Sequence, residues 1–387
     1  MNAEDARYDA GHIQVLEGWE AVRKRPGMYI GSTSERGLLH MVLEVTDRAV
    51  NEVLAGRAAS VDVTLTSDGG VRVADDGPGI PIDEAGAAGG PGLEALLTRM
   101  QAGVVAEGRH DVTAGFCGVG PAVVNALSCR MTAEVRREGV RWAQEYARGV
   151  AATPLTRVGT ATRSGTTLAF WPDADIFGAM EFSFDGLEER FRELAFLNHG
   201  LDISLTDLRH PGESRSVRLC FPGGARDFVD FLDDRSAASA LVDTVAFEHE
   251  DPRMGGVMEV AFRWRNCPDE RVESFANSRP TIGGTHAVGF RDGMAAAVTA
   301  YAREQGLLAA TDPDFDAGRI GAGLTAVVSV KLDRPEFEGS TRGLLGNPEA
   351  RDCVAQAVQD HLARWLKHHP EGAAAVIHQI VQGAGRD

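Results

Sequence analysis

The chain has 387 residues, 43% of them apolar, enough to bury the cores of roughly two or three domains. Its net charge of −17 works against nucleic-acid binding by bulk electrostatics, which draws on clustered Lys and Arg that displace counterions. No apolar run approaches the ~20 residues of a membrane-spanning helix, the polar stretch Met1–Asp9 is unlike a secretory signal, and the scattered Cys117, Cys129, Cys220, Cys267 and Cys353 read as reduced thiols of a cytoplasmic protein.

Arg23-Lys24-Arg25 is the one tight basic triplet; it reads first as a solvated charge run, with a local basic patch as the alternative. Leu38, Val42, Val45, Ala49 and Val53 recur at helical spacing and predict a helix to Leu54, ended by Gly56. Val61, Val63 and Leu65 alternate, Ser67-Asp68-Gly69-Gly70 turns, and Val71 and Val73 alternate again, which predicts a hairpin. Further strands are expected at Met131–Val135, Thr167–Phe170 and Ile203–Leu205, and helices at Pro121–Leu127 and Leu187–Leu197. The pattern restarts at Phe221-Pro222-Gly223-Gly224, so a second, smaller domain is expected there. It shows a strand at Met258–Trp264, a helix at Phe290–Gln305 and a β-branched strand at Leu324–Leu332. Strand, helix, strand in that order predicts a right-handed crossover. Arg351–Lys367 reads as an amphipathic helix with Val354, Val358, Leu362 and Trp365 on one stripe.

Four polar features stand out. On the first long helix, Glu44, Asp47, Arg48, Asn51 and Glu52 share one side at about 100° per residue. Alone, such a stripe is read as solvent exposure. Asp75-Asp76-Gly77-Pro78-Gly79-Ile80-Pro81 follows the hairpin: a carboxylate at a strand end can accept a hydrogen bond from an exocyclic amine, and Gly77 and Gly79 let a base or phosphate approach the backbone. Gly115-Phe116-Cys117-Gly118-Val119-Gly120 precedes a helix, and free N–H groups at a helix start suit a phosphate. Ser164-Gly165-Thr166-Thr167 opens a strand.

In this order the four features resemble the nucleotide-binding boxes of the GHKL ATPase superfamily. Tyr8-Asp9-Ala10, Val15-Leu16-Glu17-Gly18, the run from Ala21 to Gly31 containing Arg-Lys-Arg-Pro-Gly-Met-Tyr-Ile-Gly, Phe196-Leu197-Asn198, Gly283-Gly284-Thr285-His286 and Ser329-Val330-Lys331 resemble the gyrase B subunits of type IIA DNA topoisomerases. The resemblance implies an α+β chain: a dimerisation arm over 1–20, a GHKL (Bergerat) α/β sandwich over 21–220, and a transducer like ribosomal protein S5 domain 2 over 221–387. It also implies an ATP cofactor, with Glu44 activating the attacking water and Asp75 and Thr166 reading adenine. Gly77, Gly79 and Ile80 then line the base pocket, and Gly115, Gly118, Val119 and Gly120 belong to the lid that runs from about Ala102 to Pro121. Tyr8, with Ile13 beside it, would reach the partner subunit's nucleotide, and Ser340-Thr341-Arg342 would sense the γ-phosphate, with Arg342 in a catalytic role.

Several positions depart from the family pattern. The Mg²⁺-ligating asparagine is Arg48, which has no lone pair for a metal. The arginine between the box glycines is Pro78, the lid lysine is Val105, the lid tyrosine is His110, the Leu-His-Gly stretch is Phe116-Cys117-Gly118, and Gln-Thr-Lys is Ser340-Thr341-Arg342. Mg²⁺ would then be held by nucleotide and water, and no metal ligand is assigned. Arg48 lies one turn from both Glu44 and Glu52 and is expected either to pair with a carboxylate along the helix or to contact the phosphates as a fixed cation. Nothing after Gly372 resembles the TOPRIM domain that supplies cleavage metals. The resulting expectation is an ATP-binding clamp, homodimeric through its arm, with impaired hydrolysis. The alternative is a non-catalytic paralogue that binds gyrase A or B subunits or a gyrase inhibitor. DNA contact is left open, without support from the net charge.

Overall fold

The computed structural model describes residues 18–82, 92–100, 112, 120–210, 212–234, 238–309, 311–339 and 342–383. Tyr8, Ile13, Val105, His110, Gly115, Gly118, Val119 and the Ser340-Thr341 pair lie outside the described residues.

The first long helix spans Glu35–Leu54. Ser34 enters it in extended conformation, and Glu35 places a negative charge at the positive end of the helix dipole. Its apolar stripe is buried as expected: Leu38, Val42, Val45 and Ala49 are at most 1% exposed. That stripe packs on a nine-stranded sheet whose central strands are Gly165–Pro172, Val71–Asp75, Val61–Leu65 and Ile203–Asp207, in that order. The predicted hairpin forms in antiparallel register from Val61 opposite Asp75 to Leu65 opposite Val71. Val61–Leu65 also pairs in parallel with Ile203–Asp207. The predicted strand at Met131–Val135 is the middle of Ser128–Arg137, and the predicted helices are Pro121–Ala126 and Phe184–Leu197. Ser183 caps the latter by accepting from the Gly186 N–H.

The basic triplet is not wholly a solvated run. Arg23 donates to the Ala126 carbonyl at 2.9 Å and to Asp173 Oδ2 at 2.7 Å, tying the N-terminal helix Gly18–Lys24 to the end of Pro121–Ala126. A periodicity argument could not find these partners, which are 103 and 150 residues away.

The second unit is built on a five-stranded sheet, ordered Val245–Asp251, Gly256–Trp264, Leu324–Leu332, Arg271–Ala276, Arg279–Thr281. The expected strand–helix–strand unit needs correction here. Gly256–Trp264 pairs antiparallel with Leu324–Leu332, and the parallel partner of Leu324–Leu332 is Arg271–Ala276. The helix Thr285–Glu304 therefore crosses over from a strand that periodicity does not reveal. Arg271–Ala276 is half-buried in its first half and buried in its second, without the alternation that marks a two-faced strand. Thr285–Glu304 packs along Pro348–His368 through bare backbone: a Cβ on Gly289 would lie 2.2 Å from the Arg351 carbonyl oxygen. In Pro348–His368, Val354, Val358 and Leu362 are fully buried, with Leu366 continuing the stripe; Trp365 is half-buried and stacks on His369.

The two units share a core. Phe196 stacks on Phe221 at 3.9 Å and on Phe228 at 4.6 Å between ring centroids. Phe275 and Val327 of the second sheet complete this cluster. The described cysteines are free. No helix among the described residues is long and apolar enough to cross a membrane.

Candidate functional site

The site lies where the strand Val71–Asp75 ends beside the strand Gly165–Pro172. Antiparallel register sets Asp75 directly opposite Thr166. Both side chains are buried, and the Asp75 carboxylate is 0% exposed. Asp75 Oδ1 accepts from the Gly77 N–H at 3.0 Å. Thr166 Oγ1 accepts from the Ile80 N–H at 3.1 Å. The turn Asp75–Ile80 is thereby folded back over the sheet, with the N–H groups of Gly77 and Ile80 held by side chains.

Two glycines are required by this geometry. Gly79 has φ 80°, and a Cβ there would lie 2.7 Å from the Arg136 carbonyl oxygen. Gly165 has φ 146°, and its Cβ would lie 2.3 Å from the Asp75 carbonyl oxygen. Arg137 Nη1 secures the turn from outside by donating to the Gly79 carbonyl at 2.9 Å. Asp76 points away and accepts from the Ala59 and Ser60 N–H groups, while Pro78 is exposed.

The helix Glu35–Leu54 supplies the opposite wall. Its polar stripe is not simply solvent-facing, because Glu44 is 2% exposed. Glu44 Oε2 accepts from the Gly120 N–H at 3.0 Å, at the start of the helix Pro121–Ala126. One turn earlier, His40 donates from Nδ1 to the Ile30 carbonyl at 2.8 Å. Burial lowers its pKa, with Arg36, Arg279 and Arg190 acting in the same sense, so the neutral ring is favoured. One turn later than Arg48, Asn51 makes a double hydrogen bond with the Val112 backbone, at 3.0 and 2.7 Å.

Arg48 takes neither of the two arrangements expected for it. Its ion pair is not to a carboxylate on its own helix but to Asp75 Oδ2, across the site. Glu52 pairs instead with Arg57 at 2.7 Å. The physical reason is the packing of the helix on the sheet. Spacing of four residues makes an in-helix pair easy, but position 48 lies over the end of Val71–Asp75, where an otherwise unneutralised carboxylate is buried. Glu44 is buried as well, but its Oε2 already accepts from the Gly120 N–H, and Glu52 has Arg57, whereas Asp75 Oδ2 has Arg48 for its cation. Arg48 Nε is buried without a hydrogen-bond partner among the described residues, and so is Arg136 Nε beside the same turn.

Arg342 sits on the wall of a cleft of about 580 Å³ together with Arg36, His40, Leu43 and Arg279; His40 precedes Glu44 by one turn, and neither Glu44 nor Asp75 itself lines the cleft. The chain just after Arg342 joins the predicted Gly-Gly-Thr-His segment, because Gly283–Gly284 pairs in parallel with Leu344–Leu345. The structure thus brings Glu44, Arg48, Asp75, Gly77, Gly79, Ile80, Gly120 and Thr166 together. His40, Asn51, Arg136 and Gly165 belong to the same region, and sequence reasoning does not single them out as site residues. A signal for His40 exists, since it lies four residues before Glu44 on the same helical face.

Comparison with known proteins bears on this geometry. A sequence model described as Histidine kinase-, DNA gyrase B-, and HSP90-like ATPase matches residues 33–176, and one described as DNA gyrase B matches residues 224–387. The chain is 44% identical to the DNA gyrase B protein of Streptomyces coelicolor over 396 residues, covering 98% of this chain and 58% of the relative. It is 41% identical to the DNA gyrase B protein of Halalkalibacterium halodurans over 380 residues, covering 97% and 59%. The chain therefore spans less than two thirds of the curated relatives it matches. Among solved structures it resembles the 43K ATPase domain of Thermus thermophilus gyrase B in complex with an aminocoumarin, with a TM-score of 0.78, 34% identity and 95% of each chain covered. It also resembles the topoisomerase IV ATP-binding domain of Francisella tularensis in complex with a small-molecule inhibitor, with a TM-score of 0.74, 29% identity and 96% and 98% covered.

Proposed function

From a chain that belongs to the DNA gyrase B family and carries its ATPase fold followed by its transducer, we propose an adenine-nucleotide-binding clamp whose Mg²⁺-dependent hydrolysis is slow or absent. The observation that carries this reading is the buried Asp75 carboxylate, set opposite Thr166 and beside the turn held by Gly77, Gly79 and Ile80. A carboxylate there accepts the exocyclic amine of adenine, and the bare glycine backbone admits the flat base. Glu44, held at the start of the helix Pro121–Ala126, is the candidate to activate water. Arg48, Tyr8, Ser340, Arg342 and the lid residues Gly115, Gly118, Val119 and Gly120 are proposed to meet the phosphates. Residues 1–20 are proposed as the arm of a homodimer, 21–220 as the ATPase unit and 221–387 as the transducer.

The donor set does not fit a protein-held Mg²⁺. Arg48 stands where the family's ligating asparagine is expected, and a guanidinium has no lone pair to give a metal. Calorimetry with β,γ-imido ATP, beside a phosphate-release assay with and without Mg²⁺, tests the reading. Binding with little Mg²⁺-dependent turnover is expected, and brisk Mg²⁺-dependent turnover overturns the impaired-hydrolysis half of it. Arg48→Asn separates loss of function from an altered working site: a large gain in the Mg²⁺-dependent rate supports loss.

The Arg48–Asp75 pair favours a second reading, a non-catalytic paralogue that binds gyrase A or B subunits or a gyrase-directed inhibitor. An ion pair across the base pocket suits a protein kept for its partners. Retention of endogenous gyrase subunits by the tagged full chain, in the absence of any nucleotide binding, is the result this reading expects.

A further inference from the structure

We infer that Arg48 is a specificity-determining residue, which admits purine ligands that carry an anionic polyphosphate and excludes uncharged ligands that reach for the same carboxylate. This rests on the purine reading of the pocket given above. The observation behind it is that both oxygens of Asp75 are already engaged, Oδ1 by the Gly77 N–H and Oδ2 by the Arg48 guanidinium, on a side chain that is 0% exposed. A base that hydrogen-bonds to Asp75 must displace or crowd the guanidinium.

What happens next depends on the ligand. An uncharged ligand gives Asp75 one hydrogen bond and gives Arg48 no anion in exchange. The guanidinium, 18% exposed, is then left as a largely buried charge without its partner, which is strongly unfavourable. A nucleotide carries its own anions. Arg48 lies one turn beyond Glu44, whose carboxylate marks the start of the helix Pro121–Ala126, where phosphates are proposed to lie. Exchanging one anion for another keeps the cation paired.

The hold on Asp75 is also suited to exchange. Arg48 uses Nη2 for the pair, while its Nε–H is buried and partnerless among the described residues. A bidentate fork would engage two donors at once, so this pair lacks the second anchor that makes Arg–carboxylate contacts persistent. A phosphate offers three oxygens, enough to satisfy the idle donor.

The test uses the full chain, with adenosine and β,γ-imido ATP as probes, measured by calorimetry without Mg²⁺ on wild type, Arg48→Ala and Arg48→Gln. Wild type is expected to bind the analogue at least about 100-fold more tightly than adenosine. In Arg48→Ala the ratio of adenosine affinity to analogue affinity should rise at least about tenfold, from both directions: adenosine tighter, analogue weaker. Should Arg48→Ala not fold, Arg48→Gln keeps a donor to Asp75 without the charge, and the same ratio should rise through loss of analogue affinity. An unchanged ratio in a folded variant that still binds the analogue overturns the role of Arg48 and leaves the purine pocket standing. No binding of either probe by folded wild type and variants overturns both.

Discussion

Two buried polar clusters in this molecule have opposite character, and the contrast separates a site from a joint. At the site, Arg48 and Arg136 each leave a buried Nε–H without a partner among the described residues. At the joint between the two units, Asn198, Asn277, Ser278 and Lys331 are tied to one another and to the backbone. Asn198, just after the helix Phe184–Leu197, donates to the Leu194 carbonyl at 2.8 Å and to Ser278 Oγ at 3.1 Å, and accepts from Lys331 Nζ at 2.9 Å. Asn277 makes a matched pair of bonds with the Leu332 backbone, both 2.9 Å long. Asn277 and Ser278 have φ 47° and 61°, the pair of left-handed residues that a tight hairpin turn needs between Arg271–Ala276 and Arg279–Thr281. Burying a polar group without a partner is costly, and at the site the proposed ligand would complete Arg48; Thr285 Oγ1 and His286 Nδ1 in the second unit are also buried without a hydrogen-bond partner among the described residues. Completed clusters hold the fold together.

If this contrast is right, substitutions at the two clusters should separate binding from stability. The largest effect is expected at Asp75→Ala, which strands the Arg48 guanidinium and removes the acceptor for the base. Removing one partner of a buried pair costs about 3–5 kcal/mol; the partial exposure of Arg48 puts the expectation at the low end. Urea denaturation should show that loss, and calorimetry should show no analogue binding at concentrations that saturate wild type. Retained binding would break the assignment of Asp75 to the base. Next, Asn198→Ala should lower stability by about 2 kcal/mol, because the Lys331 ammonium and the Ser278 hydroxyl lose buried partners. Analogue affinity should stay within about twofold. A stability-neutral Asn198→Ala would show that the joint is held by the Phe196 stack alone.

Thr166→Val sharpens the contrast from within the site. The swap keeps the shape and removes the acceptor of the Ile80 N–H. Leaving that buried N–H unsatisfied should cost about 1–3 kcal/mol of stability. The turn that carries Gly77 and Gly79 should loosen, seen as weaker analogue binding and faster amide exchange at Ile80. Unchanged exchange at Ile80 would mean that Arg137 holds the turn unaided.

These clusters are unequally legible in the sequence. The hairpin Val61–Leu65 with Val71–Asp75 is plain, because alternation and a glycine turn are local signals. The helix Glu35–Leu54 is plain for the same reason. Asp75, Thr166, Gly77 and Gly79 are legible through resemblance, and the register of two strands that are far apart in sequence explains why they meet. The partner of Arg48 is not legible. Four-residue spacing points along the helix, while the actual carboxylate lies 27 residues away across a helix–sheet contact. The joint is half legible: Phe196-Leu197-Asn198 and Ser329-Val330-Lys331 stand out as family segments, but no periodicity says that Asn198 and Lys331 touch. Arg271–Ala276 leaves no periodic trace because a central strand paired in parallel need not alternate.

The smallest expected effect probes the rim of the joint by pH. His199 Nε2 lies 3.0 Å from Glu259 Oε1, close to Lys331 and Glu248. The hydrogen bond to Glu259 raises the His199 pKa, against an opposing desolvation effect, with the Glu259 and Glu248 charges adding to the rise and Lys331 acting against it. A histidine whose folded pKa exceeds its unfolded value binds its proton more tightly when folded. Its contribution is fully present below the ordinary value of about 6.5 and is lost as pH rises through the folded pKa. The side chain is 48% exposed, so solvent screening keeps the effect small. His199→Gln should therefore melt below wild type at about pH 5.5, with the gap closing by about pH 9. Asn198→Ala, whose bonds to Leu194 and Ser278 do not depend on that proton, should keep most of its deficit across the same range. A His199→Gln gap that widened towards the alkaline end would place the pair's stabilisation in the neutral ring, and the rim would then belong with the uncharged hydrogen bonds of the joint.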